Sequence, residues 1–207
     1  MSTIKYGPKE MDYLAEKDSK LGEYIKKIGR VHRELASSPF TSLLSVITSQ
    51  QISGKAAAKI EESIAKAAGK EKISELKVED ILKLDIDTLG VTGLGKKKAG
   101  WLLAISKKIK NKKIDFKKYD SMKDSEIVEE LSSNEGIGIW SAKMFCIFGL
   151  GRMNIICYSD FGIRKGMSLL YNKQELTKQE FKEYSKRYEP YATVASIYLW
   201  HLANSAS

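Results

Sequence analysis

The sequence predicts an all-α protein of about ten helices, arranged as two lobes of one domain. Apolar residues recur at helical spacing along nearly the whole chain, and almost no segment alternates apolar and polar residues as a half-buried strand does. The chain has 207 residues, of which 43% are hydrophobic and 29% are charged. These values are typical of a globular protein with one sizeable core or two smaller ones.

The predicted helices follow one another with short breaks. Segments with helical spacing include, in chain order, residues 21–28, 40–47, 52–64, 99–106, 181–188 and 192–199. Pro39 suits the first turn of the second of these helices, where its missing N–H has no cost. A glycine turn at 93–95 precedes the helix around 99–106. Only 154–158, NIICY, has the composition of a short extended segment.

We expect a single domain over residues 1–207. One lobe should comprise about 1–35 plus 120–207, and the other about 36–119. The chain crosses between them in short segments rather than long linkers, so the lobes should fold as one unit.

The charge balance points to a polyanionic partner. Lys and Arg number 35 against 26 Asp and Glu, which leaves a formal net charge of +9. Cys146 and Cys157 each lie in an apolar run, so we expect buried, reduced thiols, too few to hold an iron–sulfur cluster. The sequence shows neither a signal peptide nor a membrane-spanning run, which favours a cytoplasmic protein, or a nuclear one in a eukaryote, without membrane contact.

The most informative stretch joins a glycine hairpin to an aspartate that precedes a helix. In Gly136-Ile137-Gly138 the glycines permit positive φ and a close approach of another molecule. The helix that begins near Ile139 would point its N–H groups toward a bound phosphate. Asp160 follows Gly138 by 22 residues (160 − 138), which leaves room for a helix and a short return loop. Asp160 should therefore lie near the bound backbone, and it also suits the N-cap of the next helix.

Several segments share an order with a known family. They are SQQIS at 49–53, GLGKKKAGWL at 93–102, GIGIWSAKMF at 136–145 with DFGIRKG at 160–166, and the block 190–200. Together they resemble the helix-hairpin-helix superfamily of DNA glycosylases, and within it the 3-methyladenine DNA glycosylase II group. The resemblance implies a protein that binds damaged double-stranded DNA, flips one nucleotide out, and hydrolyses its N-glycosidic bond in a cleft between the lobes.

The resemblance also implies roles for individual residues of the reaction site. Asp160 would be the catalytic carboxylate, which stabilises positive charge as it develops on the sugar. Trp140, Met144, Tyr191 and Trp200 would line the base pocket, since electron-rich rings stack well on a cationic alkylated purine. Core packing is the alternative for each tryptophan. Trp140 stands where strand-cutting relatives carry a Schiff-base lysine, so no lyase activity is expected.

The hairpin would hold the DNA backbone. The residues assigned to this role by the resemblance are Gly136, Ile137, Gly138, Ser141 and Lys143, with Lys165 as a further counter-charge. A monovalent or divalent cation could sit on backbone carbonyls of the hairpin, at Gly136 and Gly138. No metal site built from side chains and no required cofactor is expected.

Two further segments would work at the minor groove. By resemblance, Leu94 or Lys96 wedges into the space left by the extruded base, while Gln50 and Ser53 lie near the lesion. The alternatives are a solvated lysine-rich turn at 95–98 and a polar helix end at Gln50.

The expected function is that of a monofunctional glycosylase of base excision repair. It would release alkylated purines such as 3-methyladenine and 7-methylguanine from duplex DNA, acting as a monomer. Two alternatives stay open: a helix-hairpin-helix glycosylase for other damaged bases, and a non-catalytic helix-hairpin-helix protein that only binds DNA.

Overall fold

A computed structural model describes residues 2–205 and confirms the all-α prediction. These residues form twelve α-helices and no β-strand, with one isolated antiparallel bridge between Thr3 and Glu34. The helices are α1 (Pro8–Lys17), α2 (Ser19–Ile28), α3 (Pro39–Ser49), α4 (Gly54–Ala67), α5 (Val78–Leu82), α6 (Ile86–Leu89), α7 (Lys96–Lys110), α8 (Asp124–Ser132), α9 (Ile139–Phe148), α10 (Phe161–Tyr171), α11 (Lys178–Arg187) and α12 (Ala192–Ser205). Short 3₁₀ segments lie at Ile73–Glu75 and Phe116–Ser121, and a wider turn lies at Gly90–Leu94.

The chain divides into two compact units. The first is Ala36–Leu150, and the second joins Ser2–Leu35 to the chain from Gly151 onward. Residues 120–150, which the sequence analysis groups with the C-terminal part of the chain, lie in the first unit. The reason is packing: α9 packs on both α8 and α3, so these helices belong to the first unit.

The segment 154–158 is not extended strand, contrary to the sequence expectation. It is irregular, and side chains of α12 take the hydrogen bonds that a neighbouring strand would provide. Thr193 accepts a bond from the Ile155 N–H at 3.0 Å, and the Ser196 hydroxyl donates to the Ile155 carbonyl at 3.2 Å. Satisfied in this way, the backbone needs no sheet partner.

The first unit is built around α3. Ser38 caps this helix by accepting from the Thr41 N–H at 3.1 Å, and Pro39 occupies its first turn as predicted. Most of α3 is buried, and the helix packs against α4, α7 and α9. A helix buried nearly all round is the expected outcome for an apolar sequence such as PFTSLLSVITS. Its C-terminal end therefore lies at a fixed position relative to α7 and α9.

The second unit is held by close packing of α10 on α12. A Cβ on Gly166 would lie 2.0 Å from the Leu199 carbonyl oxygen, so only glycine permits this approach of the two backbones. A buried carboxylate adds to the unit: Asp18 accepts hydrogen bonds from the Tyr171 hydroxyl and, at 3.2 Å, from Arg187. Burial raises the pKa of Tyr171 well above its ordinary value. Both features fix the position of α10 within this unit.

Within residues 2–205, no helix combines the length and apolar character that a bilayer crossing requires.

Candidate active site

The hairpin between α8 and α9 depends on one glycine with a left-handed backbone. Gly136 has φ +83, and a Cβ there would lie 2.4 Å from the Trp101 ring. Positive φ is thus confirmed at Gly136. Gly138 differs, with an ordinary φ of −85, and a Cβ on it would meet nothing within 4 Å. The fold therefore requires glycine at 136 but not at 138.

Gly138 is the N-cap of α9. Glycine has no side chain to cap the first N–H groups of the helix, and these groups have no partner inside the helix. Together with the helix dipole they make a site that favours an anion. Ile137 is buried and anchors the hairpin, whereas Ile139 is largely exposed beside the helix start. Lys143 follows one turn later and is partly buried.

Gln50, at the end of α3, is directed into the hairpin. Its side-chain nitrogen donates to the Gly136 carbonyl at 2.7 Å and to the Ser141 hydroxyl at 3.0 Å. Because a carbonyl oxygen only accepts, the nitrogen of the amide must face it. Ser141 itself is buried, so its hydroxyl is not presented to solvent as a backbone-binding group. The structure thus brings Gln50, Gly136 and Ser141 together, in an arrangement that the sequence did not predict.

Residues of α7 contact the same region and escaped the sequence analysis. Lys98 donates to the carbonyls of Thr48 and Gln50, at 3.0 and 2.8 Å. Burial lowers the pKa of Lys98 below its ordinary value. The Trp101 ring packs against Gly136, and its indole N–H donates to Glu135 at 3.1 Å. Within a run of lysines, the sequence carries no signal that would distinguish a partly buried, hydrogen-bonded lysine such as Lys98 from a solvated one.

The wedge candidates differ in exposure. Leu94 is 5% exposed, so its side chain is part of the core and does not project as a wedge. Lys96 is exposed and pairs with Asp87 at 2.7 Å, as the solvated-turn alternative describes. Val91, in the wide turn before α7, is 86% exposed and was not considered from the sequence. Ser53 is the N-cap of α4, with its hydroxyl accepting from the Ala56 N–H at 3.3 Å.

Asp160 is the N-cap of α10, as its sequence context predicts. Its Oδ1 accepts from the Ile163 N–H at 2.8 Å and from the Trp200 indole N–H at 2.9 Å. Both bonds are to the same oxygen, so they fix the orientation of the carboxyl group. Asp160 is 8% exposed and is therefore largely buried. Gly162 lies beside it, where a Cβ would be 2.8 Å from the Trp200 ring.

The main contact of Trp200 is thus the hydrogen bond from its indole N–H to Asp160. The Arg33 guanidinium lies over its ring, 5.9 Å from the centroid, so a cation already occupies one side. Tyr191 packs edge-on against Tyr13 at 5.2 Å, just before α12 begins. Tyr191 precedes α12 and Trp200 lies within it, and a shared pocket role for these two rings stays a prediction.

Trp140 and Met144 lie one turn apart on α9, in the first unit. Trp140 is partly exposed, whereas Met144 is 3% exposed and presents almost no surface to a ligand. A pocket role for Met144 stays a prediction.

The two carbonyls named for a hairpin cation already accept hydrogen bonds. Gly136 accepts from Gln50 at 2.7 Å, and Gly138 accepts from the Ala142 N–H at 3.0 Å. In the described chain, no three His, Cys, Asp or Glu side chains cluster as a metal site requires.

An all-helical chain in which a glycine hairpin opens one helix and an aspartate opens the next defines a class, the helix-hairpin-helix proteins of base excision repair. The chain belongs to the HhH-GPD superfamily of base excision DNA repair proteins, whose family profile matches residues 44–190. The matched region includes Gln50, the hairpin and Asp160.

Individual relatives agree with this assignment. The chain is 33% identical over 200 residues to the DNA-3-methyladenine glycosylase of Saccharomyces cerevisiae, covering 80% of this chain and 67% of the yeast protein. The crystal structure of a DNA-3-methyladenine glycosidase from Bacillus halodurans superimposes with a TM-score of 0.85 at 29% identity, over 100% of this chain and 94% of that one. A 3-methyladenine DNA glycosylase from Schizosaccharomyces pombe, in complex with abasic DNA, gives a TM-score of 0.81 at 26% identity, over 93% and 95%.

Proposed function

We propose that this protein is a DNA glycosylase that hydrolyses the N-glycosidic bond of alkylated purines in duplex DNA, of the 3-methyladenine DNA glycosylase II type. The observation that carries the proposal is the fixed orientation of the Asp160 carboxyl group. Two hydrogen bonds to Oδ1, from Ile163 and Trp200, orient a carboxyl group at the start of a helix. The relatives named above as 3-methyladenine glycosylases support the choice of alkylated bases.

The reaction needs a negative group beside the sugar. The C1′–N bond breaks and its electron pair goes to the cationic base, which leaves as a neutral purine. Positive charge develops on the sugar, and the Asp160 carboxylate stabilises it. A water oxygen then bonds to C1′ and releases a proton to solvent, which leaves an abasic site. Because the leaving base is already cationic, one carboxylate suffices and no cofactor is called on.

Binding is assigned to the hairpin and the aromatic residues. The N–H groups at the start of α9 hold a phosphate of the strand, with Lys143 and Lys165 as neighbouring cations. Trp140 and Trp200 are assigned to stacking on the extruded base. The cation–π interaction of such a ring with a cationic base contributes about 1–2 kcal/mol when it is desolvated. A single chain acting on a single duplex provides all of these groups. A cation bound to hairpin carbonyls would add to the grip on the phosphate.

The proposal is tested by incubating the protein with duplex DNA methylated by a simple alkylating agent. We expect free 3-methyladenine and 7-methylguanine, identified by mass, together with abasic sites that alkali converts to strand breaks. Release of only deaminated or oxidised bases from matched oligonucleotides would identify a different glycosylase. DNA binding without release of any base would identify a protein that only binds.

We propose that the enzyme is monofunctional, since Trp140 occupies the position where strand-cutting relatives carry the Schiff-base lysine. Water is then the only nucleophile, and no covalent sugar adduct forms. Borohydride added during turnover of methylated DNA should trap no protein–DNA adduct, while the same samples show alkali-labile sites. A trapped adduct in the wild-type protein would contradict this assignment.

Substitution of Gly138 tests the assignment of the hairpin to the DNA backbone. Gly138→Ala adds a methyl group where the protein leaves open space, so stability should fall by less than about 1 kcal/mol. The same methyl group blocks the close approach of a phosphate, and we expect about tenfold weaker binding to an abasic duplex by fluorescence anisotropy. Gly7→Ala is the matched control, because Gly7 is also an N-cap glycine with open space around it. Equal affinities of the two variants would remove the hairpin from the DNA interface.

A further inference from the structure

We propose that Gln50 is a positioning residue that fixes the hairpin in its DNA-binding geometry, and that Lys98 in turn fixes Gln50. The inference deepens the function proposed above and rests on it. It replaces the sequence expectation that Gln50 contacts the minor groove.

The contacts of Gln50 are all directed at the hairpin. Both hydrogens of its side-chain nitrogen are used, one by the Gly136 carbonyl and one by the Ser141 hydroxyl. Gly136 is the residue with the left-handed backbone, and Ser141 lies in the first turn of α9. The amide therefore joins the turn of the hairpin to the start of the helix. These are the two parts whose relative placement decides where the N–H groups of residues 139–141 point.

Lys98 holds the backbone that carries Gln50. Its ammonium group donates to the carbonyls of Thr48 and Gln50, which lie at the C-terminal end of α3. A cation at this end also complements the helix dipole. The lowered pKa of Lys98 reflects the water it has lost in making these bonds. Lys98 thus prevents the end of α3 from fraying, and Gln50 keeps one position.

Trp101, on α7, also supports the hairpin. Its ring lies against Gly136, and its indole N–H donates to Glu135, the preceding hairpin residue. Lys108, two turns further along α7, donates to the Asn134 side chain at 2.6 Å. The hairpin is therefore contacted by α7 on one side and by Gln50 on another. Groups held in place before DNA arrives lose less conformational entropy on binding, which strengthens the grip on the strand.

A direct reading of DNA by the Gln50 amide is disfavoured by the same contacts. To donate to a base edge, the nitrogen would have to leave the Gly136 carbonyl, which is partly exposed, or the Ser141 hydroxyl, which is buried. An abandoned buried polar group has a substantial cost. A positioning role and a contact role make different predictions for the protein without DNA, and this difference is the basis of the test.

The test compares Gln50→Met, which keeps the length of the side chain and removes its hydrogen bonds, with the wild-type protein. In the absence of DNA, amide hydrogen exchange over residues 133–141 should accelerate about tenfold in the variant. Affinity for an abasic duplex should fall about tenfold. KM for methylated duplex should rise, while kcat changes less than about threefold. The effect falls on KM because the hairpin binds the ground state and the transition state equally. Gln179→Met is the control, since Gln179 also donates one side-chain bond, to Glu183 at 2.8 Å on α11.

Ser141→Ala keeps the variant series informative if Gln50→Met does not fold. It removes one of the two acceptors, so hairpin exchange should accelerate by a smaller factor, about threefold. In the double variant Gln50→Met/Ser141→Ala, hairpin exchange should accelerate by less than the product of the two single effects. The reason is that both substitutions remove the same Gln50–Ser141 hydrogen bond. Weaker DNA binding with unchanged hairpin exchange would overturn the inference and make Gln50 a DNA contact. Unchanged exchange and unchanged binding would also overturn it. A wild-type protein that releases no base refutes the proposed function instead, and is recognised separately because hydrogen exchange is measured without DNA.

Discussion

Replacement of Asp160 by asparagine should lower base release from methylated duplex by about a hundredfold or more, with DNA binding retained. Asparagine is as good an N-cap as aspartate, and its carbonyl oxygen can accept the same bonds from Ile163 and Trp200. The variant therefore keeps the shape of the site and loses only the negative charge. Single-turnover release of methylated purines, with anisotropy for DNA affinity, measures the two effects separately.

Two comparisons isolate the charge at position 160 from its role as a cap. Asp160→Ala removes the cap as well, so it should lose about 1 kcal/mol of unfolding free energy that Asp160→Asn keeps. Asp85→Asn makes the same chemical change at another capping aspartate, which accepts from the Thr88 N–H at 2.7 Å. It should leave base release unchanged. Comparable activity in Asp160→Asn and wild-type protein would exclude Asp160 as the catalytic group.

The second large effect is on stability. Gly136→Ala should lower the free energy of unfolding by about 2–5 kcal/mol, because two costs combine. The backbone at φ +83 strains any residue with a Cβ, and that Cβ would lie 2.4 Å from the Trp101 ring. Denaturant unfolding, followed by circular dichroism, gives the change directly.

Gly54→Ala is the matched control for this substitution. Gly54 has an ordinary φ and open space, and it lies in the first turn of α4. Alanine there should leave stability unchanged or raise it slightly. In Gly136→Ala, a further change of Trp101 to alanine should relieve the steric part of the cost and leave the backbone strain. Equal stabilities for Gly136→Ala and Gly54→Ala would show that the hairpin does not depend on this backbone conformation.

Local rules anticipated the parts of the site that depend on neighbouring residues. The capping role of Asp160 and the positive φ of Gly136 both follow from short-range geometry, and so does the first-turn position of Pro39. The family resemblance, based on ordered motifs, anticipated the fold and the class of protein.

Contacts between distant segments were beyond such rules. Gln50 and Gly136 are 86 residues apart, and no pattern in either segment signals the bond between them. Leu94 is buried and Val91 is exposed because of the way the wide turn packs on its neighbours. The sequence shows only two apolar residues in one turn and does not say which of them is buried. The boundary after Leu150 likewise follows from the packing of α9 on α3, a contact between segments that are distant in the sequence.

The central claim is that the Asp160 carboxylate stabilises positive charge on the sugar of the extruded nucleotide. It is tested most directly by two duplexes of one sequence, one with a neutral tetrahydrofuran abasic analogue and the other with a cationic pyrrolidine analogue at the same site. Wild-type protein should bind the cationic duplex at least about tenfold more tightly, and Asp160→Asn should lose that preference. The same preference in both proteins would contradict the claim.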